Sequence, residues 1–307
     1  MQKRIILLGG SGFIGQSFLR YLEEQGKRDK YLIAVCDPRR AKFFEPDIYL
    51  PARIQDTNQL KDFIKDDDII IHLVHTTLPG ETMDHPFREY EENYQPSLKL
   101  LELMREKRGI LLIYFSSGGT IYGEPEKKKP IKEDAPLKPG SAYALCKQMI
   151  EETIELYSRV YQLDYLIFRP GNPYGPYQER LNRHGAVAQI FRCLKNEEPF
   201  TIYGDGETVR DYIFIDDLIS ALTFLLERGV KNQKFNLGTG VGTSLNRLIT
   251  LCEKISGKKL KKIFKPLRPT DLKYNVLNID RLKSLGWKPD FNLEQGLKLT
   301  WEYFKEL

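Results

Sequence analysis

Tyr143 and Lys147 lie four residues apart at the start of a segment with a helical pattern of apolar residues. A spacing of four places both side chains on one face of a helix. A free tyrosine has a pKa of about 10, which is too high for a base at neutral pH. The Lys147 ammonium would lower that pKa by stabilising the phenolate, and Tyr143 could then take a proton from a substrate hydroxyl. A surface pair without a role can have the same spacing, so this interpretation depends on its surroundings.

A glycine-rich turn begins at residue 9, where the apolar run Ile5–Leu8 leads directly into the segment GGSGFIG. Gly9 allows a sharp turn, Gly12 lets a pyrophosphate approach the backbone, and Gly15 lets the next helix lie against the strand. An unrelated α/β protein could contain such a turn, but its position between a strand and a helix favours a dinucleotide site. A nicotinamide cation bound there would also lower the pKa of Tyr143, which supports a redox interpretation of the Tyr/Lys pair.

A carboxylate, Asp37, follows the second predicted strand. At that position it would accept hydrogen bonds from the adenosine ribose and repel a 2′-phosphate, which favours NAD. Arg39 and Arg40 follow it, and either could pair with a 2′-phosphate, so NADP stays open as the alternative. Asp37 could also simply form the turn before Pro38.

Short apolar runs alternate with helical patterns in the first half of the chain, and they predict strands and helices respectively. The predicted strands are Ile5–Leu8, Tyr31–Cys36, Asp68–Leu73, Gly109–Ser116 and Asp164–Arg169, and the predicted helices are Phe13–Glu24, Thr57–Ile64, Tyr90–Arg105 and Ser141–Val160. The alternation predicts an α/β fold: a doubly wound parallel sheet of the Rossmann type with helices on both faces.

The alternation ends after Arg169, and residues 171–176 are predicted to form a loop. Further strands are expected near Phe200–Tyr203, Tyr212–Ile215, Lys234–Leu237 and Lys261–Lys265, and helices near Ala186–Lys195, Asp216–Leu226, Ser244–Ile255, Ile279–Leu285 and Leu293–Lys305. We therefore expect a dinucleotide-binding domain at 1–170, to which a segment near 211–240 returns. A smaller, mixed α/β substrate lobe would occupy 171–307.

Composition limits the class of protein. A net charge of +5 over 307 residues fits a solvated surface with one diphosphate pocket and does not call for a nucleic-acid partner. The cysteines have neither metal-ligand nor CxxC spacing, which predicts four free thiols in a reducing compartment and no metal. No apolar run approaches the roughly 20 residues of a membrane span, and Ile5–Leu8 is too short for a signal peptide. A soluble, cytoplasmic protein without a membrane partner is expected.

Taken together, these motifs resemble the extended short-chain dehydrogenases/reductases of the nucleotide-sugar epimerase/dehydratase family, and in particular its UDP-galactose 4-epimerase-like members. The resemblance covers nearly the whole chain. Besides the glycine turn and the Tyr/Lys pair, it rests on Asn93 and on the segments 72–75 (HLVH), 169–175 (RPGNPYG), 203–206 (YGDG), 210–212 (RDY), 236–240 (NLGTG), 268–271 (RPTD) and 285–289 (LGWKP).

The resemblance implies a role for each matching residue. Those that would bind NAD are Gly9, Gly12, Phe13, Ile14, Gly15, Asp37, Arg39, Ile54, Leu73, Val74, Asn93, Ser116, Tyr143, Lys147 and Pro170. Those that would bind a nucleotide-diphosphate sugar are Thr77, Gly118, Asn172, Tyr203, Arg210, Arg268 and Asp271. An arginine offers a charged fork to diphosphate oxygens, which agrees with two of these assignments. Arg210 could instead pair with Asp211 or Asp216, and Asn172 could cap its loop.

The chain departs from the family where the family has a catalytic Ser or Thr. The matching position is Gly118, so Ser117, Thr120 or a water would have to supply the missing hydrogen bond and complete the catalytic group with the Tyr/Lys pair. Losing one such bond costs roughly 1–3 kcal/mol, which would slow catalysis without abolishing it. The Asp-Glu pair of the family's dehydratases is replaced by Gly119 and Thr120, which argues against dehydration.

Three hypotheses follow. The first is an NAD-dependent 4-epimerase of the UDP-glucose/UDP-galactose type. In this hypothesis Tyr143 deprotonates the sugar 4-hydroxyl while NAD takes the C4 hydride, and the transient 4-keto sugar that results then receives the hydride on its other face. The second is an NAD(P)H-dependent 4-ketoreductase of a dTDP- or UDP-linked 4-keto-6-deoxy sugar. The third is a non-catalytic dinucleotide-binding regulator, which the presence of Tyr143 and Lys147 disfavours.

The predicted helices Tyr90–Arg105 and Ser141–Val160 each carry an apolar stripe. In the family such helices pair across a dimer as a four-helix bundle, so the resemblance implies a homodimer. The alternative is that both stripes pack on the sheet of their own chain.

Overall fold

The computed structural model describes residues 2–40, 43–77, 81–178, 185–268 and 271–307. In chain order the strands are β1 (Lys3–Leu8), β2 (Tyr31–Cys36), β3 (Ile48–Leu50), β4 (Ile69–His72), β5 (Leu111–Phe115), β6 (Asp164–Pro170), β7 (Asn172–Tyr174), β8 (Phe200–Tyr203), β9 (Val209–Phe214), β10 (Gln233–Leu237), β11 (Gly242–Ser244), β12 (Lys262–Lys265) and β13 (Tyr274–Asn275). The α-helices are α1 (Phe13–Glu24), α2 (Thr57–Phe63), α3 (Phe87–Glu89), α4 (Gln95–Met104), α5 (Ala142–Tyr161), α6 (Ala186–Asn196), α7 (Ile215–Glu227), α8 (Leu245–Ser256), α9 (Asp280–Ser284) and α10 (Leu293–Glu306). A 3₁₀ turn spans Arg28–Lys30, and a π turn spans Tyr90–Tyr94.

The chain divides into two compact units. Unit 1 comprises Met1–Ser117, Pro139–Arg169 and Leu225–Phe235, and unit 2 comprises Gly118–Lys138, Pro170–Phe224 and Asn236–Leu307. These limits differ from the expected ones, and Pro170 lies in unit 2. Residues 118–138 group with unit 2, and the segment that returns to unit 1 is shorter than the expected 211–240.

The seven-stranded sheet confirms the doubly wound prediction. Its order is β10-β6-β5-β4-β1-β2-β3, and the pairs of β1 with β2 and with β4 are parallel. The chain winds outward from β1 in both directions, so the order reverses between β1 and β4. In open α/β sheets, ligands bind at such a reversal, outside the carboxyl ends of the strands. The glycine turn follows β1 at this point.

Unbroken apolar runs form the central strands because helices cover both faces of a parallel sheet. Ile5, Ile6 and Leu7 in β1 are fully buried, and Ile70 in β4 is fully buried as well. The long helix α5 begins where Ser141 caps it, since the Ser141 Oγ accepts a hydrogen bond from the Ala144 amide at 3.2 Å.

Unit 2 contains smaller sheets. β9 pairs with β7, β11 and β13, and β8 pairs with β12. The prediction of a loop at 171–176 is wrong in part, because Asn172–Tyr174 forms β7 parallel to β9. A three-residue strand that contains a proline is too short to produce an alternating pattern, and the same shortness explains why β3, β11 and β13 were not predicted.

The four cysteines are free and buried, as predicted. Within the residues that the structure describes, none of the helices combines the length and the apolar character needed to cross a membrane.

Candidate active site

The glycine turn between β1 and α1 is shaped for the close approach of a ligand. Gly9 has φ of +78°, a conformation that favours glycine. A Cβ on Gly15 would lie 2.3 Å from the Gly10 carbonyl oxygen, so α1 can lie this close only with glycine there. A Cβ on Gly12 would meet only the Gly9 carbonyl oxygen, at 3.3 Å. Gly12 is also the N-cap of α1 and provides no side-chain cap, so the first amides of α1 stay available to an anion.

Asp37 lies beside this turn, immediately after β2, and is buried. Its carboxylate accepts hydrogen bonds from the Ser11 amide at 3.3 Å and the Arg39 amide at 2.9 Å. Arg40 forms an ion pair with Glu45 at 3.2 Å. A carboxylate at the position where this fold binds the adenosine ribose favours NAD over NADP.

Val74 and Leu73, in the loop after β4, lie against the turn as expected for cofactor-lining residues. The Leu73 amide donates to the Leu8 carbonyl at 3.0 Å, and a Val74 methyl lies 3.1 Å from the position of a Cβ on Gly9. The side chain of Ile54 is buried in the hydrophobic core, so only its main chain is available to a ligand.

Tyr143 and Lys147 lie on one face of α5, as predicted. The Lys147 Nζ donates a hydrogen bond to the Phe115 carbonyl at 2.8 Å and lies 5.9 Å from the centroid of the Tyr143 ring. The Ser117 hydroxyl makes a hydrogen bond to the phenol. Phe115 is the last residue of β5, so the group of Lys147, Tyr143 and Ser117 lies at the carboxyl edge of the sheet.

The pKa of Tyr143 moves opposite to the expected direction. Burial and the Glu89 carboxylate raise it, although the Ser117 hydrogen bond acts to lower it. Burial also lowers the pKa of Lys147, to about 8. The expectation that Lys147 lowers the pKa of Tyr143 below that of a free phenol is therefore wrong for the protein alone, and a further positive charge is needed to form the phenolate.

Glu89 is a buried carboxylate at the centre of a network near Tyr143. It accepts hydrogen bonds from Thr77 Oγ1 at 2.6 Å, Thr82 Oγ1 at 2.8 Å, Asn93 Nδ2 at 3.0 Å and His75 Nε2 at 3.1 Å. Burial acts to raise its pKa, but the hydrogen bonds from His75, Thr77 and Thr82 outweigh this effect and hold the pKa at about 2. Glu89 is therefore an anion at neutral pH.

In unit 2, Arg268 is already held in place by two neighbours. Its Nε and Nη2 donate to the Asp271 carboxylate at 2.9 and 3.0 Å, and its guanidinium carbon lies 4.4 Å from the centroid of the Tyr203 ring. The intervening Pro269 and Thr270 of the RPTD segment lie outside the described residues. The three described residues place a cation on an aromatic face.

Arg210 on β9 has a different environment. Its Nη1 donates to the Val209 carbonyl at 2.9 Å, burial lowers the pKa of its guanidinium, and no carboxylate of the described ranges forms an ion pair with it. The alternative of a salt bridge with Asp211 is wrong, because that carboxylate accepts hydrogen bonds from the amides of Thr239 at 2.8 Å and Gly240 at 3.0 Å. A partly buried cation without a carboxylate partner in the described residues is suited to an anionic ligand.

Comparison with known proteins shows which family the chain belongs to. The model of the NAD dependent epimerase/dehydratase family matches residues 5–238. This chain belongs to that family. A putative UDP-glucose 4-epimerase of Methanocaldococcus jannaschii is 31% identical over 312 residues, which are 98% of each chain. The predicted family, its NAD cofactor and the enzyme class are thus confirmed.

Two solved structures of family members superimpose on the chain. UDP-glucose 4-epimerase of Thermotoga maritima, solved with UDP-glucose, gives a TM-score of 0.90 at 33% identity and covers 99% of both chains. UDP-glucose 4-epimerase of Thermus thermophilus, in complex with NAD, gives a TM-score of 0.90 at 28% identity and covers 98% of this chain and 99% of that chain.

The residues of unit 1 fit the family's cofactor. The open face of Gly12 and the Asp37 carboxylate suit a pyrophosphate and a ribose. In addition, the buried Ser116 Oγ has no hydrogen-bond partner among the described residues, and a ligand could supply one. Among the other expected cofactor residues, Phe13 and Ile14 begin α1, and Pro170 ends β6 within unit 2.

Two expected contact residues are used within the chain itself. The Asn93 Oδ1 accepts from the Thr76 amide at 2.8 Å, and its Nδ2 donates to Glu89 and to Thr77. The Thr77 hydroxyl donates to Glu89. These hydrogen bonds order the loop after β4. The expected contacts of Asn93 with NAD and of Thr77 with the substrate stay predictions.

Three residues bear on what replaces the family's Ser/Thr, which stays a prediction. Gly118 contributes only main chain: its amide donates to the Pro170 carbonyl at 2.8 Å, and its carbonyl accepts from Asn275 Nδ2 at 2.9 Å. Ser117 makes the bond to Tyr143, while Thr120 lies in a turn of unit 2. In unit 2 the Asn172 Nδ2 donates to the Asp211 carbonyl at 3.3 Å.

Sequence reasoning missed Glu89 as part of the site, and it gave His75 no role beyond membership of the 72–75 segment. A second histidine three residues after His72, just past a strand end, was the available signal. Its partner lies 14 residues further along the chain, in the short helix α3, and no spacing rule connects the two.

Proposed function

We propose that this enzyme is a UDP-sugar 4-epimerase of the UDP-glucose/UDP-galactose type. The observation that carries the proposal is the group formed by Tyr143, Lys147 and Ser117 at the carboxyl edge of the sheet, the edge at which the glycine turn follows β1. The 4-epimerase relatives at 98–99% coverage support the same reaction. We assign NAD binding to unit 1 and binding of the nucleotide diphosphate to unit 2.

When bound, NAD supplies reversible hydride acceptance at the sugar C4 and a positive charge beside the phenol, in addition to the charge of Lys147. Tyr143 takes the proton of the 4-hydroxyl and returns a proton to the same oxygen when C4 is reduced from the other face. Ser117 donates to the phenol oxygen, which favours its charged form, and Lys147 holds a second positive charge on the same face of α5.

In unit 2, Arg210 and Arg268 would bind the diphosphate, with Tyr203 and Asp271 holding the second arginine. Arg210 forms no ion pair with a carboxylate of the described residues, so it can bind a phosphate without breaking one. Arg268 must share its guanidinium with Asp271. Both arginines thus support a substrate that carries a diphosphate.

We also propose a homodimer that uses α4 and α5, as in the four-helix bundle of the family. On α5, Leu145, Leu156 and Val160 are 48%, 46% and 57% exposed. Phe87, in α3 just before the π turn that leads into α4, is 64% exposed. Exposed apolar side chains grouped in this way are typical of a surface that a partner covers.

The direct test uses the purified protein and no added cofactor. NAD released by denaturation is quantified, and the protein is incubated with UDP-glucose, UDP-galactose and other UDP- and dTDP-sugars, followed by product separation. We expect retained NAD and interconversion of 4-epimers, with Tyr143→Phe inactive but still carrying NAD. Turnover only with added NAD(P)H and a 4-keto sugar would instead support the 4-ketoreductase alternative.

A further inference from the structure

We propose that His75 is a further catalytic residue: its Nδ1 accepts a hydrogen bond from a sugar hydroxyl that flanks the reacting C4, and Glu89 is the positioning residue that holds the ring. The inference rests on the proposed function, because that function places a sugar beside Tyr143. It adds a substrate contact that neither the glycine turn nor the Tyr/Lys pair provides.

The position of His75 is the first argument. It lies in the loop after β4, and its side chain is only 8% exposed. Its ring packs edge-on against Tyr143, with centroids 4.6 Å apart and planes at 74°. A ligand hydroxyl that reaches the phenol therefore comes close to the imidazole.

The tautomer of His75 is the second argument. Its Nε2 lies 3.1 Å from an oxygen of Glu89, which is ionised and can only accept, so Nε2 carries the proton. Burial and the charge of Lys147 lower the pKa of His75 to about 4, although the Glu89 carboxylate acts to raise it. His75 is thus neutral at physiological pH, and its Nδ1 is a fixed hydrogen-bond acceptor.

The third argument is that this acceptor is unused. His75 Nδ1 is buried and has no hydrogen-bond partner among the residues that the structure describes. A buried unpaired acceptor is unfavourable, and a ligand that brings an O–H group corrects it. Glu89 is meanwhile held by three further donors, so the His75 ring cannot turn without breaking the Nε2 hydrogen bond. The structure therefore assigns Nδ1 to a donor on the ligand.

The test measures binding by calorimetry in the Tyr143→Phe background, where no turnover alters the ligand. UDP-glucose, its 3-deoxy and 6-deoxy analogues and UDP itself are titrated with and without His75→Phe, which keeps an aromatic ring but removes the acceptor. We expect His75→Phe to weaken UDP-glucose binding roughly 10-fold. The binding of UDP, and of the deoxy analogue that lacks the hydroxyl bound by Nδ1, should stay nearly unchanged. His75→Asn, whose side-chain oxygen can occupy the Nδ1 position, should recover part of the loss.

Glu89→Gln removes the anion that fixes the tautomer of His75. It should weaken binding through the same hydroxyl, but by less than His75→Phe does. An equal loss for all four ligands would mean a merely structural role and would overturn the inference. Loss of retained NAD in His75→Phe would assign Nδ1 to the cofactor and would also overturn it. Turnover by the otherwise wild-type protein tests the proposed function separately, because a protein that shows the hydroxyl-specific effect without epimerising any sugar supports His75 and contradicts 4-epimerisation.

Discussion

The Ser117 hydroxyl forms a hydrogen bond with the Tyr143 phenol. Ser117 immediately precedes Gly118, the residue that matches the family's Ser/Thr position. This bond acts to lower the pKa of Tyr143 against the opposite effects of burial and Glu89. Ser117→Ala should therefore raise that pKa further and reduce kcat by about 10-fold or more, with little change in KM, because the lost bond favours the charged phenol. Steady-state kinetics with the best UDP-sugar measures both constants.

Thr120→Val is the matched control, since it removes the other hydroxyl that the sequence offered. It should change kcat much less than Ser117→Ala. The reverse order would mean that Thr120 takes over the catalytic hydrogen bond when substrate is bound.

The ammonium of Lys147, on the same face of α5 as the phenol, gives a pH prediction. Burial lowers the pKa of Lys147 from 10.5 to about 8, so its ammonium is present below that pH and is lost as the pH rises through it. We expect kcat to fall above about pH 8 in the wild type. Lys147→Arg keeps its charge at higher pH, so its kcat should be lower overall but should not fall near pH 8. A pH profile from 6 to 10 for both proteins checks this, and an unchanged alkaline fall in the variant would contradict it.

The sequence predicted well those features that depend on neighbours in the chain. The glycine turn and the Tyr143/Lys147 pair are local patterns, and both form as predicted. The same holds for the central strands, because a strand buried on both faces is an unbroken apolar run. β7 was missed because three residues contain no period.

Tertiary contacts decided the remaining features. Glu89 approaches Tyr143 only through the fold, so neither its effect on the phenol pKa nor its bond to His75 could be predicted from spacing. Asp211 was considered as a partner of its neighbour Arg210, but it turns to amides much later in the chain, at Thr239 and Gly240. Adjacency in sequence is a poor guide on a strand, where successive side chains point to opposite faces.

Two glycines of the turn should separate folding from cofactor binding. A Cβ at Gly15 would lie 2.3 Å from the Gly10 carbonyl oxygen, which is backbone and cannot easily move, whereas a Cβ at Gly12 would meet only one oxygen at 3.3 Å. Gly15→Ala should thus lower the free energy of unfolding by roughly 1–3 kcal/mol. Gly12→Ala should keep the wild-type Tm after NAD removal but retain far less NAD. Thermal unfolding and released NAD are the measurements, and a wild-type NAD content in Gly12→Ala would contradict the assignment of the pyrophosphate.

The two arginines of unit 2 should differ in their effect on stability. Arg210→Met should raise the Kd for UDP roughly 10–100-fold, because hydrogen bonds to charged groups contribute more than neutral ones. It should not destabilise the protein, since it removes a partly buried cation with no carboxylate partner in the described part of the chain. Arg268→Met should also weaken UDP binding. Unlike Arg210→Met, it should lower the stability of the protein, because it leaves the Asp271 carboxylate without its bidentate partner. Calorimetry with UDP and thermal unfolding check the pair, and a stability loss confined to Arg210→Met would contradict the assignment.

Leu156 on α5 tests the proposed dimer, and Leu299 on α10 is its control, because both side chains are 46% exposed. A glutamate at a solvent-exposed position is tolerated, whereas a glutamate in an apolar interface loses its hydration without gaining a partner. In a homodimer with two-fold symmetry, each substitution also enters the interface twice. Leu156→Glu should therefore give a monomer in light scattering coupled to size exclusion, while Leu299→Glu should keep the dimer mass. If both variants keep the mass of the wild type, α5 does not form the interface, and its apolar face requires another explanation.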